Sequence, residues 1–152
     1  MTHPEERLAE LGLTVPDVAK PVAAYVPALR TGSYVYTSGQ LPMRDGELMA
    51  SGKVGDEVSH EEAVACAQQC GLNAIAAVKA EIGDLAAVKR VVKVVCFVAS
   101  STDFTAQPQV ANGVSELLGE AFGDAGVHAR SAVGVSVLPL DAPVEVELVV
   151  EV

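Results

Sequence analysis

Arg130 and Glu145 are the residues of this sequence whose types and positions best suit chemistry on a small molecule. Arg130 stands at the start of a strand-like apolar segment, and its planar guanidinium can hold a carboxylate through two parallel hydrogen bonds. Glu145 lies inside the next strand-like segment, where it shares a face with Glu147 and Glu151. A structural ion pair for Arg130 and a plain solvated strand face for the glutamates are alternatives that the sequence leaves open.

The three cysteines do not form a recognisable reactive or metal-binding motif. Cys66 and Cys70 are four residues apart on one face of a predicted helix, and Cys96 lies in a predicted strand. A metal site would need two further ligands at the usual spacing, and a redox pair normally has the spacing C-x-x-C. We therefore interpret all three cysteines as small side chains of the core.

The three histidines are spread along the chain, with His3 near its start and His60 in the first turn of a predicted helix. His128 precedes Arg130 by two residues and could approach a site there. A surface role is the favoured interpretation, because one histidine does not make a mechanism. No phosphate-binding loop, G-x-G-x-x-G or G-x-S-x-G motif is present, so nucleotide binding and serine hydrolysis have no support.

The composition disfavours two classes of partner. The chain has 152 residues with 20 acidic and 10 basic side chains, a net charge of −10. Nucleic acids and anionic lipids both attract clustered Lys and Arg, so we expect neither as a partner. No apolar run approaches the roughly 20 residues that span a bilayer, and the N-terminus does not read as a signal peptide. Three cysteines fit reduced thiols, and we expect a cytoplasmic protein of one domain, residues 1–152.

Hydrophobic spacing predicts the elements that would position these residues. The predicted elements are a short helix at 5–13, strands at 25–29 and 34–38, a long helix at 59–83, a strand at 88–99, a helix at 108–122, and strands at 130–137 and 144–152. This order predicts an α+β fold in which two helices pack on one face of a mixed sheet. The other sheet face carries small residues and carboxylates, and we expect an oligomer to bury part of it.

Three short segments resemble motifs of the Rid family, the reactive intermediate deaminases that are also called the endoribonuclease L-PSP family. The segment Tyr34–Pro42, YVYTSGQLP, resembles the family's V-x-x-SGQ-x-P strand, and Ala129–Val133, ARSAV, resembles its P-A-R-S strand. Leu138-Pro139 followed by Val144–Glu147 resembles its terminal L-P…V-E-I-E segment. Each motif is short, but the three occur in the family's order and spacing, and the resemblance covers roughly Val22 to Val152.

The resemblance implies a chorismate-mutase-like α+β fold that forms a homotrimer, with ligand sites in the clefts between subunits. It also implies hydrolysis of reactive enamine and imine intermediates, such as 2-aminoacrylate, to a 2-oxo acid and ammonia. The family uses no cofactor for this reaction. The implied partner is therefore a small imine or enamine that bears a carboxylate.

The resemblance also assigns roles to particular residues. Arg130 would hold the substrate carboxylate, and Glu145 would position the attacking water and shuttle protons. The other residues that it places around the substrate are Tyr25, Ser38, Gly39, Asn112 and Ala132. Ala132 stands where the family often has a cysteine.

Other segments depart from the family pattern. The family's G-P-Y-S-Q-A reads Ala23–Ala28, AAYVPA, here, which keeps only Tyr25 and the final alanine. An N-terminal extension, residues 1–20, and a longer loop at 44–58 are also unlike the founding group. The chain therefore resembles a longer subgroup of about 150 residues, whose substrate and activity can differ.

Three functions follow as hypotheses. The first is an imine and enamine deaminase, and the second is a trimeric protein that binds small carboxylates without catalysis. The third is the endoribonuclease or translation inhibitor that the family's older name suggests. The acidic net charge speaks against the third, because phosphate contacts would have to overcome a repulsive average field.

Overall fold

The computed structural model describes residues 2–18 and 24–152, and its centre is a five-stranded mixed sheet. The sheet strands are β1 (Ala28–Thr31), β2 (Tyr34–Thr37), β5 (Arg90–Ala99), β6 (Ala129–Val135) and β7 (Val144–Glu151), while β3 (Met43–Arg44) and β4 (Glu47–Leu48) form a separate small hairpin. The spatial order is β1-β2-β7-β5-β6. Among the sheet strands of the described residues, β5 and β6 are the parallel pair, and parallel pairing requires the helical crossover that connects them. The α+β architecture expected from the sequence is confirmed.

The described residues also contain the α-helices α1 (Pro4–Glu10), α2 (His60–Ile82) and α3 (Gln107–Phe122). The limits of α2 follow from local chemistry. Ser59 accepts a hydrogen bond from the Glu62 amide at 3.1 Å, and the Glu62 carboxylate accepts one from the Ser59 amide at 3.4 Å. The helix ends at Gly83, whose φ of 84° is available to glycine at little cost. No helix in the described residues is long and apolar enough to cross a membrane.

The strands of the sheet have one helix-covered face and one open face. In β7 the residues Val144, Val146, Leu148 and Val150 are buried, and the residues between them are half-buried. In β5, Val94, Cys96 and Val98 lie beside the buried residues of β7 and face the same side. Helices α2 and α3 pack on this face, so the alternation in Val144–Glu151 correctly predicted the buried side of β7. In β6 the larger Val133 is exposed on the open face, and the smaller Ala132 lies on the helix-covered face beside Cys96.

The first hairpin starts later than predicted. The expected strand at 25–29 is replaced by β1, Ala28–Thr31, because Gly32 and Ser33 alone make the turn and pairing begins directly at Thr31 and Tyr34. Gly32 has a φ of 57°, as such a two-residue turn requires. Strand β6 also ends earlier than predicted, at Val135, because its partner β5 ends at Ala99.

The N-terminal residues pack against the rest of the fold. Leu8 of α1 is completely buried in the core, and the Arg7 Nε donates to the Glu120 carbonyl of α3 at 2.5 Å. The predicted end of the extension at Lys20 and the start of the family-like region at Val22 lie outside the described residues. Residues 2–18 are therefore part of the packed structure.

Candidate active site

Arg130 lies against one face of helix α3. Its Nη1 donates to Asn112 Oδ1 at 2.9 Å and to Ser115 Oγ at 3.1 Å, and its Nη2 donates to the Pro108 carbonyl at 3.2 Å. Pro108, Asn112 and Ser115 are separated by four and three residues, which places them on the same side of a helix. The helix therefore fixes the position and orientation of the guanidinium.

The bonds to α3 leave part of the Arg130 guanidinium available. An arginine has five N–H groups, and three of them are used in these contacts. Within residues 2–18 and 24–152, no protein group accepts from Nε or from the second N–H of Nη2. Two donors on a half-buried cation can bind the two oxygens of a carboxylate. Carboxylate binding by Arg130, which the sequence indicated, stays a prediction.

Asn112 and Ala132, which the resemblance placed at the site, both lie near Arg130. Asn112 is a direct hydrogen-bond partner of the guanidinium. Ala132 is two residues further along β6, so it projects to the same face of the sheet, where it lies beside the buried Cys96. Arg130, Asn112 and Ala132 form what we call the arginine half-site.

His128 was expected at the surface, and the structure corrects that expectation. The side chain is half-buried, and its Nε2 lies 2.9 Å from Ser115 Oγ, which is itself a partner of Arg130. The other ring nitrogen, Nδ1, lies 2.6 Å from the Gly126 carbonyl oxygen. Sequence reasoning missed Ser115, because a serine inside a helix gives no signal that it faces an arginine on a later strand.

Glu145 and Gly39 are in contact with each other, and they belong to a second group of predicted site residues. A Cβ atom on Gly39 would overlap the Glu145 carboxylate, so only glycine leaves the space that this side chain occupies. The neighbouring Ser38 donates through Oγ to the Val26 carbonyl at 2.6 Å. Its amide donates to the Pro27 carbonyl at 2.8 Å, which ties the segment that carries Tyr25 to the end of β2. We call Tyr25, Ser38, Gly39 and Glu145 the glutamate half-site.

The surroundings of Glu145 favour its protonated form. Burial raises the pKa of Glu145, and the charge of Glu147 on the same strand face raises this pKa further. A carboxyl group with a raised pKa can act as a proton donor closer to neutral pH than an exposed glutamate can. The raised pKa is compatible with the proton transfers that the family resemblance implies for Glu145.

A cavity of about 390 Å³ adjoins the glutamate half-site. Tyr25 and Gly39 line it on one side, and Asp17, Arg44 and Leu140 line it on others. Asp17 belongs to the predicted extension and Arg44 to the predicted longer loop. The segments that depart from the family pattern thus contribute to the space beside the half-site.

Asn73 holds one wall of this cavity, a role that the sequence analysis missed. The side chain is buried in α2, and its Nδ2 donates to the carbonyls of Leu41 at 3.0 Å and Met43 at 2.9 Å. Gln69 donates to Asn73 Oδ1 at 3.1 Å, which completes the set of bonds. A signal was available, because Asn73 is the one amide in the otherwise apolar stretch from Gly71 to Val78.

The two half-sites of one chain do not meet. Arg130 of β6 lies beside Val94 of β5, and Glu145 of β7 lies beside Phe97 of β5. Strand β5 therefore lies between the strands that carry Arg130 and Glu145. Val94 faces the helices and Phe97 faces the open side, which places Arg130 and Glu145 on opposite faces of the sheet. Neighbouring strands lie about 4.8 Å apart, so the backbones of β6 and β7 are roughly 10 Å apart here.

The cysteines have the structural role expected of them. Cys66, Cys70 and Cys96 are free and buried. Burial raises the pKa of Cys66 to about 11 and that of Cys96 to about 12, so neither thiol ionises near neutral pH. In the part of the chain that the structure covers, no three His, Cys, Asp or Glu side chains lie close enough together to hold a metal ion.

The mixed sheet with both long helices on one face is an α+β fold of the chorismate-mutase-like class. Its strands carry an arginine half-site and a glutamate half-site. The chain belongs to the YjgF/chorismate mutase-like family, whose sequence profile matches residues 5–152 and whose description also includes an endoribonuclease function. The family indicated by the three short motifs is therefore confirmed.

Individual proteins are similar to this chain over most of its length. Protein TCP17 of Trypanosoma cruzi is 43% identical over 145 residues, which are 95% of this chain and 91% of that protein. A 2-iminobutanoate/2-iminopropanoate deaminase of Dermatophagoides farinae is 34% identical over 140 residues, 91% of this chain and 93% of the relative. The crystal structure of Atu1372 from Agrobacterium tumefaciens, a protein of unknown function, has 43% identity and a TM-score of 0.92, with 98% of this chain and 92% of that chain covered.

Proposed function

We propose that the protein hydrolyses small enamines and imines of 2-oxo acids, at a site that the arginine half-site of one subunit forms with the glutamate half-site of another. The observation that carries the proposal is the separation of Arg130 and Glu145 within one chain. Arg130 has donors for a carboxylate, and Glu145 has a raised pKa, but a single chain cannot apply both to one small substrate. Two chains in a closed ring can, because each offers both halves.

The open face of the sheet supports assembly into the homotrimer that the family resemblance implies. Tyr34, Tyr36 and Val133 are exposed on this face, and Phe97 is half-buried there. An apolar surface of this kind gains stability when another copy of the chain covers it. A cyclic trimer would bury it three times over while it formed three equivalent sites.

The proposed reaction consumes one water and transfers no electrons to the protein. Protonation of the methylene carbon of 2-aminoacrylate gives 2-iminopropanoate, water adds to the C=N carbon, and the resulting carbinolamine loses ammonia to leave pyruvate. Arg130 would bind the carboxylate throughout. Glu145 would donate a proton in its neutral form and accept one from water in its charged form. An imine is already electrophilic, so the site needs no activated nucleophile.

Two further observations favour this function over the alternatives. The relative from Dermatophagoides farinae, which carries the deaminase name, matches almost the whole chain at 34% identity. The net charge of −10 disfavours the endoribonuclease function in the family description, because RNA is a polyanion. Ala132 in place of a cysteine keeps the non-catalytic carboxylate-binding protein as the second candidate.

The direct test is to generate 2-aminoacrylate in solution by enzymatic dehydration of serine with an added dehydratase, and to follow its loss and the release of ammonia. We expect the protein to accelerate the loss and Arg130→Ala to abolish the acceleration. Unaccelerated decay, or acceleration that survives Arg130→Ala, would refute the proposal. Calorimetric titration with pyruvate separates the second candidate, which requires binding without turnover.

A further inference from the structure

We propose that Ser115 and His128 are positioning residues for Arg130, connected to it by a hydrogen-bond chain with a fixed direction. The chain runs from the Gly126 carbonyl through the His128 ring and the Ser115 hydroxyl to Nη1 of Arg130. The role rests on the proposed function in that Arg130 binds the substrate carboxylate. The direction of the chain does not depend on any substrate.

The Gly126 carbonyl determines the tautomer of His128. Its oxygen lies 2.6 Å from Nδ1 and can only accept a hydrogen bond, so Nδ1 must carry a proton. In the neutral ring, Nε2 is then an acceptor. Without the carbonyl, a histidine would be free to adopt either tautomer.

The tautomer of His128 in turn determines the orientation of the Ser115 hydroxyl. Ser115 Oγ lies 2.9 Å from Nε2, and since Nε2 is an acceptor, the hydroxyl proton must point to the ring. The lone pairs of Oγ are then directed away from the ring, and Arg130 Nη1 donates to them at 3.1 Å. The Ser115 hydroxyl proton therefore does not face the N–H groups of the guanidinium.

The result is a guanidinium whose Nη1 side is fully bonded before substrate arrives. Asn112 Oδ1 and Ser115 Oγ accept the two Nη1 protons, and rotation of the guanidinium would break both bonds. The Nε side and one N–H of Nη2 therefore point in a fixed direction. Such preorganisation improves the affinity of the site for a carboxylate, because less order must be created on binding.

Two substitutions of His128 distinguish a role in the hydrogen-bond chain from a role in packing alone. A glutamine amide can place its oxygen where Nε2 lies and can still accept from Ser115, whereas an asparagine amide reaches only the Nδ1 position and Gly126. We expect His128→Asn and Ser115→Ala to raise the Kd for pyruvate and the KM about fivefold, which is the effect of losing about one hydrogen bond. The change in kcat should be smaller. His128→Gln should stay within about twofold of the wild type. Equal effects of the glutamine and asparagine variants would overturn the proposal.

A measurement without ligand tests the direction of the chain directly. Long-range ¹H–¹⁵N spectra at about pH 8, where histidine is mostly neutral, distinguish the two tautomers, and His128→Gln assigns the signal among the three histidines. We expect the Nδ1–H tautomer for His128, and the Nε2–H tautomer would refute the chain. If the wild-type protein neither binds pyruvate nor turns over 2-aminoacrylate, the proposed function fails. The spectrum still tests the direction of the hydrogen-bond chain in that case.

Discussion

Arg130 and Glu145 project from opposite faces of one sheet, with strand β5 between the strands that carry them. Each residue contacts different neighbours on its own face of the sheet. Arg130 contacts Asn112 and Ser115 on helix α3, and Glu145 occupies the space that Gly39 leaves open. A site that uses both residues must therefore include two chains, and the predictions below test that geometry and the properties of each half.

Mixed trimers should recover activity from two inactive variants. Arg130→Ala retains a sound glutamate half-site, and Glu145→Gln retains a sound arginine half-site. In a cyclic trimer that contains both kinds of chain, one of the three interfaces joins the two sound halves, so we expect about a third of the wild-type activity. The variants are co-expressed with different affinity tags, and the mixed assemblies are purified on both tags.

The controls for this experiment are the two homogeneous variants, each of which should be inactive. Mixed assemblies that form but show no activity would mean that Arg130 and Glu145 do not act together across subunits. Failure to isolate any mixed assembly would count against the proposed oligomer.

A methyl group at residue 39 should impair catalysis more than folding. In Gly39→Ala the new Cβ displaces the Glu145 carboxylate, which is the end of a flexible side chain and can move at modest cost. We expect kcat to fall by roughly tenfold or more with only a small change in Tm. Gly119→Ala is the matched control, because residue 119 is helical with open space around it, and this variant should be slightly more stable and fully active. Retained activity in Gly39→Ala would contradict the role of Glu145.

The charge of Glu147 should set the pH range of the reaction. Burial and the Glu147 charge both raise the pKa of Glu145, so the proton-donating form survives to higher pH and activity is lost as pH rises through this pKa. Glu147→Gln removes the second cause and should move the alkaline limb of the kcat profile to lower pH. The measurement is kcat against pH for the two proteins. A shift to higher pH, or none, would show that Glu145 is not the titrating group.

Asn73 should matter for stability and for the cavity wall. Asn73→Ala removes the donors to the carbonyls of Leu41 and Met43 and leaves those acceptors without their partner. We expect the free energy of unfolding to fall by roughly 1–3 kcal/mol, measured by urea denaturation. Gln69→Ala removes only a bond to Asn73 itself and should cost less. Equal losses in the two variants would mean that the carbonyl bonds contribute little.

Much of the architecture could be predicted from local sequence patterns. The helix predicted at 59–83 is α2, His60–Ile82, whose start is set by the capping box of Ser59 and Glu62. The alternation in Val144–Glu151 matches the buried side of β7. These features depend on contacts between residues two to four positions apart, which the sequence displays directly. Strand β1 was predicted about three residues too early, at 25–29, because the extent of the turn at Gly32 and Ser33 depends on strand pairing.

The sequence alone determined which residue types are available for the site, and it indicated the family of the protein. Only the tertiary structure decided their arrangement, because the order β7-β5-β6 is set by long-range pairing that leaves no periodic signal. That order places Arg130 and Glu145 apart. It also brings β6 against α3, so that His128 reaches Ser115 across 13 positions of sequence and Arg130 gains the partners that orient it.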